Sequence, residues 1–208
     1  VHPLTSVLAG VARLISGVHV RWLDCRPEPH QRLYFANHTS HLDTVVLWAA
    51  LPPEVRARTR PVAAKEYWEK NALRRYVSTR VFHAVLVERA PDAEGMRLAA
   101  ARDAVKEMLE AMGEHYSLII FPEGTRGTGE VLAPFKSGLF YLAWARQGLE
   151  LVPVYLENLN RILPKGEILP VPLLSTVTFG PALRLEPGES KKAFLGRAQQ
   201  ALVRLRSA

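Results

Sequence analysis

Cysteine is nearly absent. Cys25 is the only one in 208 residues, so no disulfide can form within the chain, and such usage suits a reducing compartment. Long apolar runs are missing too; none approaches the roughly 18 residues needed for a membrane-spanning helix. The first apolar stretch has no basic lead-in, which argues against a secretory signal there. No repeat, low-complexity tract or linker divides the chain. Acidic residues are the minority, 20 against 27 Lys and Arg, for a net charge of +7. What is present is ample apolar content, 48% hydrophobic residues. A chain of this length buries roughly 70% of its unfolded surface and folds without a staple.

The positive excess is concentrated. Residues 54–80 hold Arg56, Arg58, Arg60, Lys65, Lys70, Arg74, Arg75 and Arg80 against Glu54, Glu66 and Glu69. Such a run is a solvated face or a contact for an anionic membrane, an acidic carrier protein, a phosphorylated substrate or nucleic acid. Nucleic acid is not expected, because only Tyr67, Trp68 and Tyr76 interleave and no nucleic-acid motif is present.

Residues 4–18 place Leu4, Val7, Leu8, Val11, Leu14, Ile15 and Val18 at helical spacing. This predicts an amphipathic helix, packed on the domain or lying in a lipid surface. Strands are expected at 32–36, 60–64, 84–88, 117–121, 151–156 and 175–180. Pro153 suggests an edge or a bulge in the fifth. Helices are expected after Asp43, closed by Pro52 and Pro53; from Asp92 to Met112; over 135–147; and from Ser190 to Arg206. The segment 66–79 is basic and mixed. Alternation of this kind predicts one α/β domain with a mixed, largely parallel central sheet flanked by helices.

Polar residues follow the apolar strands: His38 and Asp43, then Lys65, Arg89, and Glu123 with Arg126. If the strands are parallel neighbours, these groups converge at one end of the sheet. In Asn37-His38-Thr39-Ser40-His41-Leu42-Asp43, an imidazole can accept a hydroxyl proton while a carboxylate fixes its tautomer. The pair meets only if His38 lies on the loop and Asp43 in the first turn of the next helix, because five residues along a continuous helix point apart. Asp43 as a mere helix cap, or His38, His41 and Asp43 as metal ligands, are the alternatives; no further His/Cys cluster supports the metal. No Gly-x-Ser-x-Gly elbow suggests a serine nucleophile. In Phe121-Pro122-Glu123-Gly124-Thr125-Arg126-Gly127, the glycines admit backbone N–H groups to an anion, Arg126 can grip a phosphate, Thr125 adds a hydroxyl and Glu123 an acceptor. The Gly-Lys-Ser/Thr ending of a nucleotide-binding P-loop is missing.

Together these blocks resemble the 1-acylglycerol-3-phosphate acyltransferase family, within the glycerolipid acyltransferase superfamily. Asn37, His38 and Asp43 match the first block. Glu88-Arg89 stands where the second usually has Asp-Arg. FPEGTR at 121–126 is the third, unbroken, and Val152-Pro153 the fourth; Phe135, Lys136 and Gly138 also look familiar. The resemblance implies an acyltransferase domain over 31–208, after an amphipathic, possible membrane-associating segment over 1–30. It implies acyl transfer from acyl-CoA or acyl carrier protein to lysophosphatidate, or to another lysophospholipid, glycerol 3-phosphate or an aminolipid. His38 would be the general base and Asp43 its orienter. Arg89, Glu123, Gly124, Thr125 and Arg126 would hold the acceptor, with Lys65 helping. No metal or bound cofactor is implied. The expected place is the cytoplasmic face of a membrane, without a spanning segment, and the expected partners are the membrane lipids and the acyl carrier. A binding module without turnover is the reading from another class.

Overall fold

The computed structural model describes residues 3–88, 94–129, 131–159 and 174–207. Its strands are β1 (His19–Trp22), β2 (Arg32–Ala36), β3 (Thr59–Ala64), β4 (Val85–Val87), β5 (Ser117–Ile120), β6 (Glu150–Glu157) and β7 (Thr176–Phe179). They form one sheet in the order β1-β7-β6-β2-β5-β3-β4. From β6 to β4 every neighbouring pair is parallel. The direction reverses at β7, which pairs antiparallel with β6 and parallel with β1. The sheet is therefore mixed and largely parallel, as its alternating pattern predicts.

Helices cover both faces: α1 (Pro3–Ser16), α2 (Asp43–Ala50), α3 (Pro53–Ala57), α4 (Lys65–Trp68), α5 (Ala72–Tyr76), α6 (Glu94–Met112), α7 (Gly138–Ala145) and α8 (Lys191–Leu205). Strand alternation sorts the core. Tyr34, Ile119 and Val152 point toward α1 and α2. Leu33, Phe35, Leu118, Ile120 and Leu151 point toward α6, α7 and α8. All of these are fully or nearly fully buried, at roughly 1.5–3 kcal/mol for each large side chain.

Local signals explain most boundaries. Pro52 forces Leu51 into extended backbone (ψ 142°) and stops α2. The Ser190 hydroxyl accepts from the Ala193 N–H and starts α8. The expected cap Asp92 lies outside the described residues, as does the side chain of Leu98. The basic segment after β3 makes two short helical turns and a π-helical turn at Val77–Val81 in place of one helix. Nor is that segment one cationic surface. Arg56 is buried and donates to the Ala49 and Leu51 carbonyls, and Arg60 packs over Tyr116 and donates to Ala111.

Two elements differ from expectation. β1 is short and carries three ring-bearing or charged residues in four, so its pattern gave no strand signal; it pairs along the edge of the sheet. β6 is not an edge, since β2 and β7 flank it. Pro153 is tolerated there because it faces Gly180, just past the end of β7, and needs only to accept: Gly180 N–H donates to its carbonyl. Between the pairs Val154–Phe179 and Leu151–Leu183 the partner chain carries one extra residue, which is a bulge opposite the proline. Gly180 admits no side chain, since a Cβ there would lie 2.8 Å from Leu205.

Candidate active site

The parallel strands all end at one edge of the sheet, and the polar residues that follow them gather there. Asn37 sets the first loop. Its buried side chain donates to the Leu156 carbonyl at 2.9 Å and accepts from the Leu156 N–H at 2.7 Å, standing in for a peptide unit beside β6. This clamp fixes where β2 stops and where His38 begins.

Asp43 is the first residue of α2 and fully buried. Leu42, not Asp43, holds the cap position, so the alternative that Asp43 is only a cap does not describe it. Its Oδ2 accepts from Thr39 N–H at 2.6 Å, from Ser40 N–H at 2.8 Å and from His38 Nδ1 at 2.8 Å. The loop therefore wraps around the carboxylate, which also gains from the helix N-terminus. A carboxylate only accepts, so Nδ1 carries the hydrogen, and in the neutral imidazole Nε2 holds the lone pair. The imidazole stacks on Phe121 (centroids 4.3 Å, 24°) and stays 21% exposed, enough to reach a substrate.

Glu123 has a different place from the one expected of it. It is buried; Oε1 accepts from the His38 N–H and Oε2 from the Ala133 N–H, each at 2.9 Å. The Gly127 N–H donates to the His38 carbonyl at 2.8 Å. Glu123 thus clasps the His38 loop to the segment after β5 and also lines the cavity beside His38. Gly124, Thr125 and Arg126 are exposed at the rim. Gly124 has φ +71°, and a Cβ there would meet the Lys136 side chain at 2.6 Å. Lys136 is thereby brought over the loop, its own N–H donating to the Pro122 carbonyl. Sequence reasoning gave Lys136 and Phe121 no role; each stood in a quoted motif, and only the fold reveals what it touches.

Lys65 pairs with Glu88 at 3.2 Å, which raises its pKa through that hydrogen bond and charge. Among the described residues Lys65 makes no hydrogen bond to His38. Arg89 lies outside the described residues. His41 turns away from Asp43 and stacks on Tyr67 (5.0 Å, 22°), and Arg74 lies over the same ring at 4.6 Å. So His38, His41 and Asp43 do not converge as ligands, and no group of three His, Cys, Asp or Glu side chains among the described residues is placed to hold a metal. His41 is exposed over much of its surface, yet partial enclosure of its ring, then Arg126, His38 and Arg74, lower its pKa.

A cavity of about 230 Å³ opens beside His38, lined by Asn37, Leu132, Tyr155, Val203 and Arg206 among others. A larger hollow, about 410 Å³, lies at the opposite edge around Arg32 and Glu150. There Glu150 is paired with Arg32, His30 and Arg184.

The chain is similar to proteins of one kind. It is 29% identical over 185 residues to a 1-acyl-sn-glycerol-3-phosphate acyltransferase of Limnanthes douglasii, covering 86% of this chain and 60% of that protein. A chloroplastic protein of the same name from Brassica napus is 39% identical over 64 residues, 31% of this chain and 18% of its own. The chain thus spans about 60% of the length of the first of these relatives. The crystal structure of the 1-acyl-sn-glycerophosphate acyltransferase PlsC from Thermotoga maritima superposes with a TM-score of 0.70 at 18% identity, over 98% of this chain and 79% of that one; it shares the fold. The Acyltransferase family profile matches residues 17–157, which run from β1 through the His38 and Glu123 loops to the end of β6, and the chain belongs to that family.

Proposed function

We propose that this protein transfers a fatty acyl group from an acyl thioester, acyl-CoA or acyl carrier protein, to the free hydroxyl of 1-acylglycerol 3-phosphate, giving phosphatidate. The carrying observation is the 2.8 Å contact between His38 Nδ1 and the buried Asp43 carboxylate, which leaves Nε2 to act as a base. His38 takes the acceptor hydroxyl proton as that oxygen attacks the thioester carbonyl carbon. The C–S bond then breaks, the ester forms, and the proton passes to the departing thiolate. Asp43 holds the tautomer and steadies the imidazolium. Arg126 and Lys136 stand at the rim for the acceptor phosphate, with Thr125 and the Gly124 backbone beside them; Glu123 acts by positioning the His38 loop. The cavity beside His38 offers room for the start of the acyl chain. A thioester is already an activated acyl donor, so the scheme assigns no step to a metal or bound cofactor.

The names of the relatives support the acceptor, and FPEGTR at 121–126 agrees with it. We place the protein at a membrane surface, where its lipid substrates reside; no helix among the described residues is long and apolar enough to cross one. The test is acyl transfer by the purified protein from oleoyl- and palmitoyl-CoA and acyl carrier protein to lysophosphatidate and other lysolipids, beside His38→Ala. Phosphatidate formation that falls at least about 10²-fold in the variant is expected. A variant as fast as the wild type removes His38 as base, and product from a different acceptor alone corrects the substrate.

A further inference from the structure

Three groups beside His38 have no part in the chemistry above. His41 comes from the loop after β2, Tyr67 from α4 and Arg74 from α5. One phenol ring holds both of the others, the imidazole at 5.0 Å and the guanidinium at 4.6 Å. Arg126 reaches the same neighbourhood from the loop after β5, close enough that its charge acts on His41. The charged and titratable groups around His41 are therefore Tyr67, Arg74, Arg126, His38 and Asp43. The one carboxylate among them is buried and already accepts three hydrogen bonds. Among the described residues neither Arg74 nor Arg126 forms an ion pair with a carboxylate. Two exposed or half-exposed guanidinium groups thus act on one histidine. That arrangement is unfavourable until an anion fills it. Enclosure of the ring does most to lower the His41 pKa, and the Arg126, His38 and Arg74 charges add to it; an incoming dianion would act against those charges.

We propose that His41 and Arg74, held by Tyr67, form a second wall of the acceptor's phosphate site, opposite Arg126, and select a phosphomonoester over a phosphodiester headgroup. The inference rests on the acceptor reading above. A terminal phosphate offers three free oxygens and close to two charges, enough for donors on two sides. A phosphodiester has one charge and one oxygen fewer, and its substituent occupies the side where His41 and Arg74 stand. Arg74 and His41 bind; Tyr67 is a positioning residue.

Two measurements test this. Initial-rate titrations compare lysophosphatidate with lysophosphatidylglycerol. Arg74→Gln and His41→Asn should raise KM for lysophosphatidate about tenfold, more than they lower kcat, and raise KM for the phosphodiester far less. Tyr67→Phe should keep more of the monoester preference than Tyr67→Leu. Loss of equal size with both acceptors, or a preference unchanged in Arg74→Gln, overturns the wall. The second readout needs no turnover. Inorganic phosphate should move the NMR titration midpoint of His41 upward in the wild type, and less so in Arg74→Gln. A midpoint indifferent to phosphate sinks the proposal even in an active enzyme. A protein inert toward every acceptor, whose His41 still responds to phosphate, keeps the anion wall and sinks only the proposed reaction.

Discussion

Asn37 carries one of the most demanding structural jobs in the molecule. Its amide replaces a backbone unit beside Leu156, so a change of a single atom matters. Asn37→Asp puts a carboxylate against the Leu156 carbonyl and removes a buried donor. We expect a loss of about 1–3 kcal/mol in urea unfolding, with activity falling in step; unchanged stability would show that the clamp is idle. Asp43 combines two tasks that substitution can separate. Asp43→Ala frees the Thr39 and Ser40 amides inside the protein and should lower stability as well as rate. Asp43→Asn keeps an oxygen for those amides and for Nδ1–H, because all three bonds fall on Oδ2, but removes the charge that steadies the imidazolium. We expect kcat to fall about 10²–10⁴-fold with the melting temperature closer to wild type than in Asp43→Ala. Much of this pair was legible in the sequence, because loop, turn and helix come in the order that lets His38 meet Asp43. The clasp made by Glu123 was not. A carboxylate in a glycine-rich turn reads as a ligand group until its burial and its two amide partners are known.

At the scale of elements, α1 has two different sides. Leu8, Ala9 and Ala12 pack on the core, and Arg13 turns onto the last carbonyls of α2, Ala49, Ala50 and Leu51. A cation is well placed at such a helix end. Val7, Val11, Leu14 and Ile15 face outward, Leu14 at 83% exposure. A folded domain has no use for that stripe, and a lipid surface does. We expect Leu14→Glu to weaken co-sedimentation with liposomes while leaving the melting temperature within about 1 °C, since nothing is unpacked. Binding as strong as wild type would take α1 out of the membrane contact. The helical period of α1 was readable, but not that its only charge is committed to α2. β1 escaped notice because four residues show no alternation; Pro153 signalled an edge or a bulge, and the bulge is what is found.

Across the whole molecule, function and fixation lie at opposite ends of the sheet. The His38 and Glu123 loops follow the strands; the Arg32–Glu150 cluster lies where β2 and β6 begin. Arg32 and Glu150, register partners at the start of β2 and β6, are joined by His30 and Arg184. Burial alone would raise the pKa of Glu150, but hydrogen bonds from His30, Arg32 and Arg184 outweigh it and hold the value at about 2. A depressed carboxylate stabilises the fold above its unfolded pKa and loses that contribution as pH falls through the folded one. Relative to Glu150→Gln, the wild type should therefore be more stable at neutral pH, on the order of 2 kcal/mol after solvent screening. That advantage should shrink between about pH 4.5 and 2. A difference independent of pH would contradict it. The largely parallel sheet was legible from strand–helix alternation, and the convergence of His38, Glu123 and Arg126 followed from it. The reversal at β7 was not, because strand order leaves no local mark in a sequence.

That reversal has a consequence for the order of events during synthesis. Among the described strands β1 is the first to be synthesised, yet it pairs only with the last of them, β7, from His19 opposite Thr176 onward. At ordinary elongation rates β1 waits on the order of 10–30 s for the strand it needs. Throughout that interval the apolar outer face of α1 precedes an unfinished edge, so the nascent chain can meet a lipid surface before its sheet is closed.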